Sequence, residues 1–243
     1  MVNQPPASGQ SLSSELSFID ALKFPFDDKD WLKKIAIGAG LTLTIIGGIP
    51  VTGYCVRVAR RVMRAEPGLP EWDDFGGDIT RGLYILAGNI IHFFPIIILA
   101  CIVAGLQIAV GSAAGGSSGS FNRNAADSSA FASIALSLCS LPVFLVIGIP
   151  LFVINLSAIA RFAATNQFSA FTDFSTLIAD ARKNMRATLF LLIDVWLYWL
   201  IMGLVINIGS TLCCLPGLAA SAMASMGLYY IAGRWGLKLG LTA

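Results

Sequence analysis

An apolar stretch broken by glycine and proline occurs twice in this chain, a hundred residues apart. Leu41, Gly48, Ile49 and Pro50 recur as Leu141, Gly148, Ile149 and Pro150, with Arg61 and Arg161 equally far beyond. One deleted position later, Trp72-Asp73-Asp74-Phe75 is echoed by Phe171-Thr172-Asp173-Phe174. Each copy reads as an apolar span, a Gly-Ile-Pro break, a cationic exit, and a polar connector bearing an aromatic-x-Asp-Phe step. A chain patterned this way is built from two related halves.

Lipid has to cover most of it. The hydrophobic fraction is 56 % and the charged fraction 12 %, about half the charged content of a soluble domain. The apolar runs approach or exceed the roughly 20 residues that cross a bilayer as helix. A net charge of +2 argues against nucleic acid as a partner. Five cysteines without a CxxC pair and a single histidine, His92, support neither a zinc site nor a disulfide framework. The expected fold is therefore all-α, a polytopic transmembrane bundle of about five spans.

Residues 1–14 carry no charge and no apolar run, and read as a disordered tail. The first repeat covers 15–110. It opens with a surface helix carrying Leu16, Ile19 and Leu22 on one face, broken at Phe24-Pro25-Phe26. Asp27, Asp28 and Asp30 then cap a helix entered at Trp31, with Lys33 and Lys34 at the interface. Spans follow at Ile35–Val56, kinked at Pro50, and Leu83–Val110, interrupted at Pro95. A flexible Gly/Ser loop, 111–130, leads to the second repeat, 131–214. Its spans are 131–160, kinked at Pro142 and Pro150, and 187–214, joined by an amphipathic connector within Phe162–Arg186. The remainder, 215–243, holds a fifth span. Its stripe of Gly217, Ser221 and Ser225 suits close packing inside the bundle.

Cationic residues crowd both connectors and the C-terminal end, whereas the Gly/Ser loop holds only Arg123. The positive-inside rule puts the connectors and C-terminal end in the cytoplasm and the loop outside, in a cell membrane. The halves are then parallel repeats about an axis along the membrane normal. Five full spans leave the N-terminal segment outside, against Lys23, Lys29, Lys33 and Lys34. A re-entrant turn at Gly47-Gly48-Ile49-Pro50 is the alternative. Five spans is the expectation carried forward.

Residues 24–34 (Phe-Pro-Phe-Asp-Asp-Lys-Asp-Trp-Leu-Lys-Lys), Gly53-Tyr54 with Arg57 and Arg60, and Leu69-Pro70-Glu71-Trp72-Asp73-Asp74-Phe75-Gly76 resemble the domain of unknown function (DUF) 4013 family of integral membrane proteins. Ala160-Arg161-Phe162-Ala163 with Asn166, followed by Phe171 and Asp173-Phe174, is similar to that family's second half. The resemblance runs from about Phe18 to Arg234. It implies a polytopic membrane protein without an assigned activity and supplies no catalytic residues.

Asn89, His92 and Asp194 are the candidate intramembrane polar site, since ionisable groups at membrane depth are functional candidates. Asp194 paired with His92 would respond to protons or ions. The bland alternative puts Asp194 at the interface, in an aromatic belt with Trp196, Tyr198 and Trp199. Glu71, Asp73, Asp74 and Asp78 suit a helix start after Pro70 better than a metal site. Asn155, Gln107 and Asn207 read as interhelical hydrogen-bonding groups. Trp72, Asp74, Phe75, Phe171, Asp173 and Phe174 are candidate contacts to a partner or lipid surface. No Ser-His-Asp order, phosphate loop or HExxH is present, so neither an enzyme nor a cofactor is expected. The expected partners are the bilayer and other membrane-protein subunits. A non-catalytic scaffold or accessory subunit ranks first, and a transporter or channel using the cleft between the repeats second.

Overall fold

Long apolar sequence without paired strands has one local solution, because a helix satisfies its own backbone. The computed structural model describes residues 18–44, 46–114, 123–212 and 214–243. The expected tail and the centre of the Gly/Ser loop, 115–122, lie outside the described residues. Every regular element within them is helical: α1 (Phe18–Lys23), α2 (Trp31–Thr42), α3 (Gly48–Met63), α4 (Phe75–Ala114), α5 (Arg123–Thr165), α6 (Phe174–Lys183), α7 (Met185–Leu212) and α8 (Cys214–Lys238), with short 3-10 turns at Phe24–Asp27 and Phe168–Phe171.

Among the described residues four helices are long and apolar enough to cross a membrane: Phe75–Ser112, Phe131–Thr165, Met185–Thr211 and Leu215–Lys238. The expected first span is not among them. Ile35–Val56 is divided between α2 and α3. Pro50 therefore does not kink a span; it lies in the first turn of α3, where a missing N–H leaves no helical bond unmade. The second copy behaves differently, since Pro142 and Pro150 both lie inside the uninterrupted α5, as Pro95 does inside α4. The two copies differ in their breakers. Gly47-Gly48 precedes Pro50, whereas Pro150 follows a single glycine after Val146-Ile147. A Cβ on Gly47 would strike the Leu41 carbonyl, and Thr44 turns its hydroxyl onto that same carbonyl at 2.9 Å while accepting from Gly47 N at 3.0 Å.

The expected helix boundaries shift elsewhere too. α4 begins at Phe75, so the first connector is shorter than expected, and α4 and α5 both run into the Gly/Ser segment. The second connector is not one amphipathic helix. α5 continues to Thr165 and ends at Asn166, whose left-handed backbone (φ 57°) suits asparagine. A 3-10 turn intervenes before α6.

The described residues group into two compact units. The first comprises the chain up to Gly88 and from Leu156 onward. In it α8 packs against α7, α3 and α2, and α1 rests on α7 and α8. Trp235, Tyr54, Tyr198, Phe162 and Phe171 are its largest fully buried side chains. α8 is half buried along its apolar window, as the small-residue stripe leads one to expect, and Ala220, Ala222 and Ala224 face the interior.

α2 and α3 run antiparallel as a helical hairpin. Lys34 near the start of α2 and Arg61 near the end of α3 both donate to the Leu69 carbonyl, at 3.0 and 3.2 Å. One level along, Trp72 donates to the Lys34 carbonyl at 3.1 Å, stacks on Tyr54 of α3 at 4.0 Å, and lies against Gly38 of α2. α3 and α4 also cross closely, because a Cβ on Gly53 would strike the Asp78 backbone and one on Gly82 the Ile49 carbonyl.

The second unit, Asn89–Asn155, is an antiparallel pair formed by parts of α4 and α5. His92 meets Asn155 at 2.9 Å, and Gln107 donates to Ser137 at 2.9 Å. Ile90, Phe94, Ile98, Ile102, Leu138 and Val146 are among the apolar side chains it exposes.

Candidate functional site

Among the described residues a dense group of ion pairs joins the start of α2, the later part of α3 and the start of α4. Asp78, one turn into α4, is wholly buried. Arg57 grips it with two bonds, Nε to Oδ1 at 3.0 Å and Nη2 to Oδ2 at 2.8 Å. Arg81 adds a third at 2.8 Å, so every polar oxygen of Asp78 is engaged. Arg57 reaches on to Asp73 and the Glu71 carbonyl, both at 2.6 Å, and lies over the Tyr54 ring. Burial alone would lower the Arg57 pKa; the Asp73 and Asp78 carboxylates outweigh it and raise it. Asp73 and Asp74 are held below the usual carboxylate range chiefly by Arg57 and Arg81 respectively.

A second cluster closes the base of the α2–α3 hairpin. Lys34 was expected at the membrane interface beside Lys33. It is only 3 % exposed within the protein and bridges Asp28 at 2.9 Å and Glu71 at 2.6 Å. Asp28 also accepts from the backbone of Asp30 and Leu69, both at 2.8 Å. It thus serves the turn before α2, whereas Asp30, at the N-cap position, makes no capping bond. Burial would raise the Asp28 carboxyl, but Lys34 and the two N–H groups together hold it low. Burial would likewise lower Lys34, but Glu71 and Asp28 raise it. The four carboxylates read as a helix start thus divide. Asp74 caps α4 by accepting from Gly77 N at 3.1 Å, while Glu71, Asp73 and Asp78 are ion-pair partners.

The second aromatic-x-Asp-Phe step is used in the same way. Asp173 caps α6, accepting from Thr176 N at 3.2 Å, and Arg161 grips Asp180 through two bonds of 2.7 and 2.9 Å. Of the six side chains offered as partner contacts, Trp72 is spent on Tyr54 and Lys34, and Phe171 is fully buried against Phe162 and Gly88. Asp74 and Asp173 are caps. Phe75 and Phe174 remain exposed.

The intramembrane candidates fall in different units. Asp194, in the first, is buried and accepts from the Phe18 backbone at 3.3 Å. Asn89 and His92 lie in the second, where His92 Nδ1 is hydrogen-bonded to the Asn155 side-chain Oδ1 at 2.9 Å. The belt imagined around Asp194 is incomplete. Trp196 and Trp199 are exposed, but Tyr198 is buried and its hydroxyl engages the carbonyls of Met223 and Ala224, each at 3.1 Å. Asn155 and Gln107 bridge helices as expected, whereas Asn207 donates to Gly203 of its own helix at 2.7 Å. Among the described residues no group of three or more His, Cys, Asp or Glu could hold a metal ion.

Sequence reasoning missed the union of the two motifs Phe24–Lys34 and Leu69–Gly76. Each carries a tryptophan among acidic residues, and in the fold they bind one another through Asp28, Lys34, Leu69, Glu71 and Trp72. Their shared composition was the available signal. No curated protein and no solved structure matches the chain. The family model described as Protein of unknown function (DUF4013) matches residues 37–227, from within α2 through both connectors to the middle of α8 and without the Phe24–Lys34 motif, and the chain belongs to that family.

Proposed function

We propose that this is a non-catalytic integral membrane protein that acts as a scaffold or accessory subunit of a membrane complex. One observation carries the reading: the side chains best suited to chemistry are engaged in holding helices together. Asp78 is enclosed by Arg57 and Arg81, Lys34 by Asp28 and Glu71, and Asp180 by Arg161. Such a plug stiffens the helix ends and leaves exposed apolar faces for lipid and for neighbouring subunits.

The halves are two copies of one design, with matched Asp caps at Asp74 and Asp173. The 99-residue offset maps the start of α4 onto the start of α6. Both connectors lie on the cytoplasmic side, where their cations belong. The partner-facing surface is the exposed side of α6, with Phe174 and Ile178 beside Arg182 and Lys183. Purification in mild detergent tests this. A stoichiometric membrane-protein partner that is retained by the native chain and lost in Ile178→Glu supports the scaffold. A chain that stays alone, with Ile178→Glu unchanged in the cell, counts against it.

A transporter or channel is favoured by the His92–Asn155 pair, buried where α4 and α5 run side by side. Ion or solute flux into liposomes holding the purified chain, abolished by His92→Ala, would establish that reading instead.

A further inference from the structure

We infer that the α2–α3 hairpin is a re-entrant element whose tip sits among lipid acyl chains. The segment before α2 then lies on the same face of the bilayer as the connectors and the C-terminal end of α8. This rests on the membrane reading above and goes beyond it.

Length supports it first. α2 has 12 residues and α3 has 16, so at about 1.5 Å per residue the arms reach about 18 and 24 Å. A hydrocarbon core is about 30 Å thick. Gly38 lies beside Ala222 and Met226, and Gly236 beside Met63, so the hairpin follows the later part of α8 and leaves its beginning uncovered.

The tip has the chemistry of a lipid contact. From Ile35 to Val56 there is no charged residue. Leu43 and Ile46 are 63 % and 75 % exposed, which in water would be an unsupported apolar knob. Lipid also demands that backbone polar groups find partners within the protein, and three N–H groups of the turn have them. Thr44 N donates to Leu41 O, Gly47 N to Thr44 O, and Ile49 N to Ile46 O, at 3.0 to 3.1 Å. The hydroxyls of Thr42, Thr44 and Thr52 fold back onto Ala39, Leu41 and Gly48 carbonyls. Every ion pair of the hairpin lies at its base instead, on Asp28, Lys34, Arg57 and Arg61.

The charge conflict of a five-span chain then disappears. Four crossings follow the hairpin, an even number, so Lys23, Lys29, Lys33 and Lys34 share a face with the arginines of both connectors.

Single-cysteine variants K29C, R64C and I46C, made in a chain whose native cysteines are replaced, test this in sealed vesicles. An impermeant maleimide is expected to label residues 29 and 64 from one face only, the same for both. A nitroxide at residue 46 is expected to be relaxed by oxygen and protected from a water-soluble nickel complex. Trypsin on the native chain gives the same topological answer without substitution, by cutting at Lys29 and at Lys183 from one face. Labelling or cutting from opposite faces overturns the hairpin, and a nickel-accessible tip overturns its insertion. Release of the chain by alkaline wash overturns the membrane reading itself.

Discussion

Asp78 is the residue on which α3 and α4 depend most. Its carboxylate is fully buried and holds two arginines, and removing one partner of a buried pair costs about 3–5 kcal/mol. Asp78→Asn is therefore expected to lower detergent-phase stability by about 3 kcal/mol in thermal unfolding, because Arg57 and Arg81 lose their shared negative charge and one of its two acceptor oxygens. Glu71 is the contrast. It also pairs with Lys34 but is two-thirds exposed, so Glu71→Gln should cost no more than about 1 kcal/mol. Asp28 and Lys34 carry a pH signature with opposite signs. Asp28 is depressed when folded, so its contribution is present above about pH 4 and is lost as pH falls through its folded value. Lys34 is raised, so its contribution is present below about pH 10.4 and is lost as pH rises through its folded value. Stability measured against pH should fall at both ends, and Asp28→Asn should flatten the acid limb.

At the scale of elements, the glycines and prolines have separable tasks. Gly53 admits the Asp78 backbone of α4, and any side chain there must push the two helices apart. Gly53→Ala should destabilise by about 1–3 kcal/mol, whereas Gly40→Ala, with open space around it, should be neutral or gain up to about 1 kcal/mol of helix propensity. Pro50→Ala is expected to be nearly silent, since Pro50 occupies the first turn of α3. An unfolding midpoint lowered by Pro50→Ala as much as by Gly53→Ala would refute this account of the break. The hairpin turn depends on Gly47, where a Cβ would meet the Leu41 carbonyl.

At the scale of the molecule, the four long apolar helices dominate, and α4 has none of its most apolar window buried. The chain is expected to stay in the membrane pellet through an alkaline carbonate wash and to require detergent for extraction. Composition made an all-α fold with long apolar helices legible, because 12 % charge cannot solvate so much apolar surface. The first Asp-Phe step was legible as a helix start, since an aspartate before a helix has a local use, whereas the second reads as part of one amphipathic helix and in fact caps α6. The count of spans was not. Gly-Ile-Pro reads alike at Pro50 and Pro150, yet one begins a helix and the other lies inside one. Thr44, Gly47 and the turn they close made that difference. The roles of Lys34, Asp28 and Asp78 were hidden for a related reason. Lys34 meets Glu71, 37 positions on, only once α2 and α3 fold back on each other, and Asp78 meets Arg57, 21 positions earlier, only where α4 crosses α3. The sequence by itself determined what is local or summed over the chain: helix as the regular element of the described residues, long apolar stretches suited to lipid, the cap at Asp74 and the break at paired glycines. The tertiary structure decided which charges are buried and where the first apolar stretch turns back, because those depend on partners that sequence proximity does not reveal.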